Sequence, residues 1–479
     1  RHGVEPTHTP SWHEAFSETQ RCLVRHVQIE VKEMGTWTAN LFQSILDTRR
    51  EKYGDENPKT LTSMTHMGGI LEKRGQLKGA LDHYGEAMHI RRDVLGDKHP
   101  KTLQSIGKMA SMCKQQGQTY EALILAQEAL FGSRKAFGDQ APDTLDALNN
   151  LGSAWKAQGD YKEAEKCFRE AFKMRHESLG AKHPDTLTSL NNLACTVDAL
   201  GRPAEAGKLY QECLERRRGV LGHSHPDTMT SMSNLAVYLK ANGQSEKAGE
   251  LLEQVLDGRR KIFGIKHMDT IISMNNLASI QEDLAQELHR KFDDREEKRI
   301  REKAVSLLKE AVSCGRQHLG KRHPVTLKSM NNLAGVLKSM DLGKSKELYE
   351  KAVAGMRDAL GDKHLDTLLC LNNLAGVLRS LSEVDEAEEC YKEAASGIVE
   401  KLGDTHPTSV STLYNWALAL DEKGDFSSAV PLYLHELDHA VYTPEHRMER
   451  MKNLSERLRR VGMLQEARDL RIRMRQQHG

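Results

Sequence analysis

Seven asparagines recur along this chain at matching places: Asn150, Asn192, Asn234, Asn276, Asn332, Asn373 and Asn415 each lie eight residues past an equivalent anchor position. A second asparagine precedes five of them, at 149, 191, 275, 331 and 372. A side-chain amide carries two donors and an acceptor, so a row of amides can hold the backbone of an extended peptide whatever its side chains. The same amides can instead bond to a neighbouring unit and fix how units stack. The spacing alone leaves both open. A second set of candidates lies one or two turns along the same wall. It comprises the cations Lys156, Lys240, Lys338 and Arg379, with Lys108, Lys114 and Lys328, set against Asp198, Glu282, Asp283, Asp421 and Glu422.

Other chemistry is poorly supported. Histidines at 99, 183, 225, 267, 323, 364 and 406 also recur. Each belongs to a different unit, however, and units a helix diameter apart, about 10 Å, cannot bring ligands within about 2 Å of one metal ion. These histidines read as caps of the turns between helices. The chain has no phosphate-binding glycine loop, no GxSxG and no HExxH, so no catalytic, cofactor-binding or metal-binding residue is assigned and a non-enzymatic role is expected. Eight cysteines form no CxxC pair and read as small buried groups of a protein in the cytoplasm or another reducing compartment.

The elements that must position these rows come from an internal repeat. Pro58, Pro100, Pro142, Pro184 and Pro226 recur at one constant interval, a period of 42, and each is followed two positions later by threonine. Met268, Pro324, Leu365 and Pro407 continue the ladder. In His183 to Gly222, Leu187, Leu190, Leu193, Ala194 and Val197 make one apolar helical stripe (helix A). Gly201 and Pro203 interrupt it. Ala206, Leu209, Tyr210, Cys213 and Leu214 make a second stripe (helix B). Leu221-Gly222 closes the unit with a glycine suited to a left-handed C′ position, and the next proline opens a helix at its first turn. One hairpin buries too little surface alone, so the units must stack. The expected fold is therefore all-α, an α-solenoid of antiparallel helix pairs.

The Leu193-Ala194 pair, the small residue Ala206 and the aromatic Tyr210 resemble the tetratricopeptide repeat, and the small residue recurs as Ala80, Ala122, Ala164, Ala248, Ala304, Ala387 and Ala429, with Ser345 the one departure. The long period, the LGxxHPxT between units and the NNLA within helix A look like the longer repeats of kinesin light chains and nephrocystin-3 type proteins. That resemblance implies a right-handed superhelix with helix A on the concave wall. It also implies a groove that takes extended, acidic protein segments. The cation row would then make the groove basic around units two, three, five, seven and eight, and acidic at units six and nine. No heptad coiled coil precedes the repeats, which sets the chain apart from kinesin light chains.

Residues 1–10 read as a draped or disordered N-terminus and 11–56 as a degenerate capping hairpin, with Trp12, Phe16, Leu23 and Val27 on its first helix. Nine repeats fill 57–444, and 445–479 reads as a C-terminal capping hairpin. Unit six carries 14 extra residues around 285–303, charged and free of Gly and Pro, which predicts a helical projection about 21 Å long on one helix or about 10 Å shared by two. With 69 basic and 68 acidic residues the net charge is +1, which argues against nucleic acid as the main partner. No apolar run is long enough for membrane insertion. A first residue Arg1 in place of methionine suggests a fragment or a processed product. The expected function is a protein–protein interaction scaffold or adaptor binding a protein segment in its groove. Two alternatives stand beside it: a structural subunit using its convex face, ends and projecting hairpin, or the sensor array of a larger enzyme.

Overall fold

The computed structural model of the chain describes residues 35–440 and 444–476, and the described residues are helical apart from the turns that join the helices. Trp12, Phe16, Leu23 and Val27 lie outside the described residues, as does the stretch 1–10. The helix Gly35–Tyr53 precedes the first unit. Nine hairpins follow, their A helices opening at Pro58, Pro100, Pro142, Pro184, Pro226, Met268, Pro324, Leu365 and Pro407. In unit 4, helix A is Pro184–Ala199 and helix B is Pro203–Leu221. A last hairpin comprises Pro444–Arg460 and Leu464–Gln476.

The linking motif is explained bond by bond. His183 Nδ1 accepts the Asp185 N–H at 3.2 Å, and the six other recurring histidines cap their helices in the same way. Asn57 does the same in unit 1 with its Oδ1. Proline at the next position lacks an N–H that would otherwise be orphaned. In three units the threonine two residues on ties the new helix to the glycine that ends the last: Thr144 Oγ1 donates to Gly138 O at 2.7 Å, Thr270 Oγ1 to Gly264 O at 2.8 Å and Thr367 Oγ1 to Gly361 O at 2.9 Å. The glycines closing the B helices take φ of +83° at Gly222 and +105° at Gly320, with ψ of 167° and 154°. This is not the left-handed helical C′ conformation read from the sequence. It is the extended positive-φ region that glycine alone enters readily, so the chain leaves helix B in an extended direction.

The core is shared between units. Ala164 and Phe168 of unit 3 pack with Leu193, Ala194, Val197, Ala206 and Tyr210 of unit 4 in one cluster. The small residue of helix B is fully buried in every unit, and Ser345 satisfies its hydroxyl by donating to Ala334 O at 2.7 Å. Helix B also buries an arginine. Arg217 donates to Asp227 O and Ser231 Oγ of unit 5, each at 2.9 Å, and to Thr188 Oγ1 at 3.2 Å. Arg175 and Arg259 repeat the bonds to the next unit's carbonyl and serine.

Most consecutive A helices touch each other directly, whereas consecutive B helices make no contact of comparable extent. The array therefore curves with the A helices on the concave side. Long ion pairs span the splayed convex side, among them Arg260–Glu310 at 2.7 Å, Arg357–Glu393 at 2.6 Å and Arg92–Glu128.

Unit 6 shares its insertion equally. Its helix A, Met268–Arg290, has 23 residues where unit 4 has 16. Its helix B, Asp294–Cys314, continues through a π-helical turn, Gly315–Leu319, giving 21 plus 5 residues where unit 4 has 19. Seven additional residues on each helix extend the hairpin by about 10 Å. Arg301 pairs with Glu282 and Glu297 to join its two arms.

Candidate binding groove

The asparagine rows lie where the A helices meet, and the two rows do different things. The first row, one residue nearer the anchor, is structural. Asn149 donates to Leu145 O and to Ser189 Oγ of the next unit, both at 3.1 Å, and Asn275 donates to Ser329 Oγ at 2.8 Å. The second row divides. Asn234 donates to Asn191 Oδ1 at 3.0 Å, Asn373 to Asn331 Oδ1 at 3.3 Å and Asn415 to Asn372 Oδ1 at 3.3 Å, so each links its unit to the preceding one. Asn332 Oδ1 accepts from Asn331. Among the described residues, Asn150, Asn192 and Asn276 make no side-chain hydrogen bond. Asn150 is exposed, and Asn192 and Asn276 are half-buried. A bonded second-row amide uses one of its two N–H groups, so stacking and groove chemistry coexist in this row.

The charged candidates share one register at the end of helix A: Lys114, Lys156, Asp198, Lys240, Glu282, Lys338, Arg379 and Asp421 all stand at the same distance past their units' anchors. The structure brings most of the expected charges into pairs. Lys240 is held by Asp283 at 2.9 Å and by Ser279 Oγ at 2.7 Å, and Arg379 lies 3.6 Å from Glu422. Glu282 is taken by Arg301, and Asp421 by Arg457 and the Tyr433 hydroxyl. Lys108 lies over the Tyr84 ring. The acidic stretches expected at units six and nine are thus neutralised, and so are two of the four leading cations.

Lys114, Lys156 and Lys338 form no ion pair among the described residues. Burial, reinforced by the charge of Lys156, holds the Lys114 ammonium below its usual pKa. Burial and then Arg379 do the same to Lys338. A depressed ammonium beside a like charge makes a place where a carboxylate or other anion is favoured, although Asp198 already feels the charge of Lys156.

The recurring histidines stay apart, each on its own cap. A different cluster, His289, Asp294 and Glu297, converges at the tip of the projecting hairpin. There His289 Nδ1 lies 2.9 Å from Glu297, which Arg301 also pairs. Sequence reading also missed the buried arginines, because a charged residue on an amphipathic helix reads as solvated. Their signal was the spacing: Ser105, Ser189, Ser231 and Ser273 follow Arg91, Arg175, Arg217 and Arg259 at one constant interval. On the convex side, helix B of unit 2 exposes Tyr120 (69%), Ile124 and Phe131 (70%). No helix among the described residues is long and apolar enough to cross a membrane.

The tetratricopeptide repeat profile matches residues 62–135, 103–175, 143–219, 199–261, 227–289, 338–398 and 366–440, and a second profile of the same repeat matches 410–479. Among solved structures, the nearly identical TPR-like repeats assigned to a Podosopora anserina kinesin light chain are 26% identical, over 45% of this chain and 95% of that one, with a TM-score of 0.37. The Rap protein complexed with Competence and Sporulation Factor is 13% identical, over 79% and 98%, with a TM-score of 0.44. A human IFIT1 dimer with PPP-AAAA is 15% identical, over 94% and 99%, with a TM-score of 0.48. No curated protein matches the chain.

Proposed function

Because the chain belongs to the tetratricopeptide-repeat family, whose arrays are generally protein–protein interaction modules, we propose that it is a non-enzymatic adaptor that holds an extended protein segment along its concave A-helix wall. One observation carries this reading: Asn150, Asn192 and Asn276 keep their amides free of side-chain bonds on the same wall as the unpaired Lys114 and Lys156. The amides would take the backbone of the segment, and the lysines its acidic side chains.

The test begins with peptides selected from a random display library on the immobilised protein. Replacing Asn150, Asn192 and Asn276 together by alanine should lower their affinity at least tenfold and leave thermal stability unchanged. Replacing the stacking residues Asn234, Asn373 and Asn415 should lower stability by about 0.5–1.5 kcal/mol for each bond lost. Unchanged affinity in the first variant would reject the groove.

The exposed Tyr120, Ile124 and Phe131 support a second reading, in which the convex face holds a subunit of a larger assembly. Selected binders that lose affinity on Phe131→Ser, and not on the asparagine changes, would favour it.

A further inference from the structure

Two turns between helices A and B do not end in solvent. In units 3, 4 and 5 a Cβ built on the turn glycine, Gly159, Gly201 or Gly243, would meet nothing within 4 Å. In unit 1 a Cβ on Gly75 would lie 2.5 Å from Pro324 Cδ and 2.8 Å from His323 Cδ2. In unit 2 a Cβ on Gly117 would lie 3.3 Å from His364 Cδ2. Unit 1 therefore meets unit 7, and unit 2 meets unit 8, in a constant offset of six units.

The contacts are directed at groups that need partners. The last carbonyls of an α-helix have no acceptor role inside it, and they favour donors and cations. His364 Nε2 lies 3.2 Å from Gln115 O, and Lys401 Nζ donates to Gly117 O at 3.3 Å. His323 is 5% exposed and bonds to the backbone of Lys73. Nδ1 of both histidines already accepts a cap N–H, at 3.2 Å for His323 and 3.1 Å for His364, so Nε2 carries the proton that reaches across. Beside them Leu360 packs against Leu77, Ala80, Tyr84 and Met112. A cleft of about 680 Å³ remains between the two turns.

We propose that the first superhelical turn is a closed ring, sealed by His323 and His364 on the ends of the unit 1 and unit 2 A helices. A protein segment then reaches the inner wall end-first, or waits for the seal to open. The entry rule rests on the groove reading. The ring does not.

Asn57 shows how to cut the seal and keep the caps, since its Oδ1 caps unit 1 as histidine caps the others. The double variant His323→Asn, His364→Asn should retain its helices yet show a larger maximum dimension in small-angle scattering. Its amides in 73–77 and 115–119 should exchange at least tenfold faster. His183→Asn with His225→Asn, at caps outside the seal, should change neither. Unchanged scattering and exchange in the first pair, or equal changes in both pairs, would overturn the ring. For entry, a library-selected peptide is fused to a folded domain at both ends or at one. The doubly blocked peptide should associate at least tenfold more slowly with the wild type and recover in the open variant. Equal rates for both fusions on a sealed ring would overturn the entry rule alone, and a library yielding no binder would reject the groove reading while scattering still decides the ring.

Discussion

At the scale of single residues, the units are held in place by polar groups that reach across to the next unit. Arg217 satisfies a carbonyl, a serine and a threonine drawn from two A helices. Arg217→Met keeps most of the volume but strands these partners in the core, so it should cost about 1–3 kcal/mol in chemical denaturation. Lys208→Met, exposed on the same helix, should stay within about 0.5 kcal/mol. Phe292 works the other way. It holds φ of +59° at the turn where units 1–5 place glycine, and it is 91% exposed. Phe292→Gly should therefore raise stability by up to about 1 kcal/mol, read as a higher midpoint in the same assay. The repeat made Leu190, Ala206 and Tyr210 legible as core, because apolar residues at helical spacing admit little else. It could not show that Asn234 bonds to Asn191, since that depends on the register between two helices that bring together residues 43 apart in the chain. Nor could it show that Lys240 is neutralised by Asp283.

At the scale of helices and turns, the recurring histidine is a cap that works only when neutral, because a proton on Nδ1 removes the acceptor. For His323 and His364 burial pushes the pKa below the ordinary value of 6.5. Asp366 and the Gln115 carbonyl pull His364 back upwards, and Lys401 lowers it further. Across the seal, His323 meets the Lys73 carbonyl, and Glu72, Lys73 and Lys108 line the adjoining cleft with it. With the folded value depressed, the unfolded chain binds more protons below pH 6.5. The stability these rings contribute is thus complete above about pH 6.5 and is lost as pH falls through their folded values. Amide exchange at 73–77 and 115–119, compared at pH 7.5 and pH 5.5 after correction for the intrinsic rate, should show the seal loosening in acid. The double asparagine variant should lack that difference. Helix boundaries were readable from Pro, Gly and His. The split of the insertion was not, because placing all of it on one helix or half on each leaves the same sequence length.

At the scale of the whole molecule, the stacking was legible and the closure was not. Any single interface changes direction only slightly, and six must add before unit 1 meets unit 7. The charge balance of the groove also emerges only there. Two of the four leading cations and the expected acidic stretches cancel locally, which leaves Lys114, Lys156 and Lys338. An ion pair to the exposed Lys338 would contribute at most about 1 kcal/mol, and pairs to it and to the half-buried Lys114 and Lys156 would be weakened by salt, which screens charges beyond about 8 Å at physiological ionic strength. An acidic segment should therefore weaken with added salt to a residual affinity set by neutral amide bonds. The most direct test of the central claim is to place a photoreactive benzoylphenylalanine at Asn192 or Asn276 on the inner wall, or at Tyr120 or Phe131 on the outer one, and irradiate each with a library-selected peptide. The account predicts crosslinks from 192 and 276 and none from 120 and 131; crosslinks from the outer positions alone would contradict it.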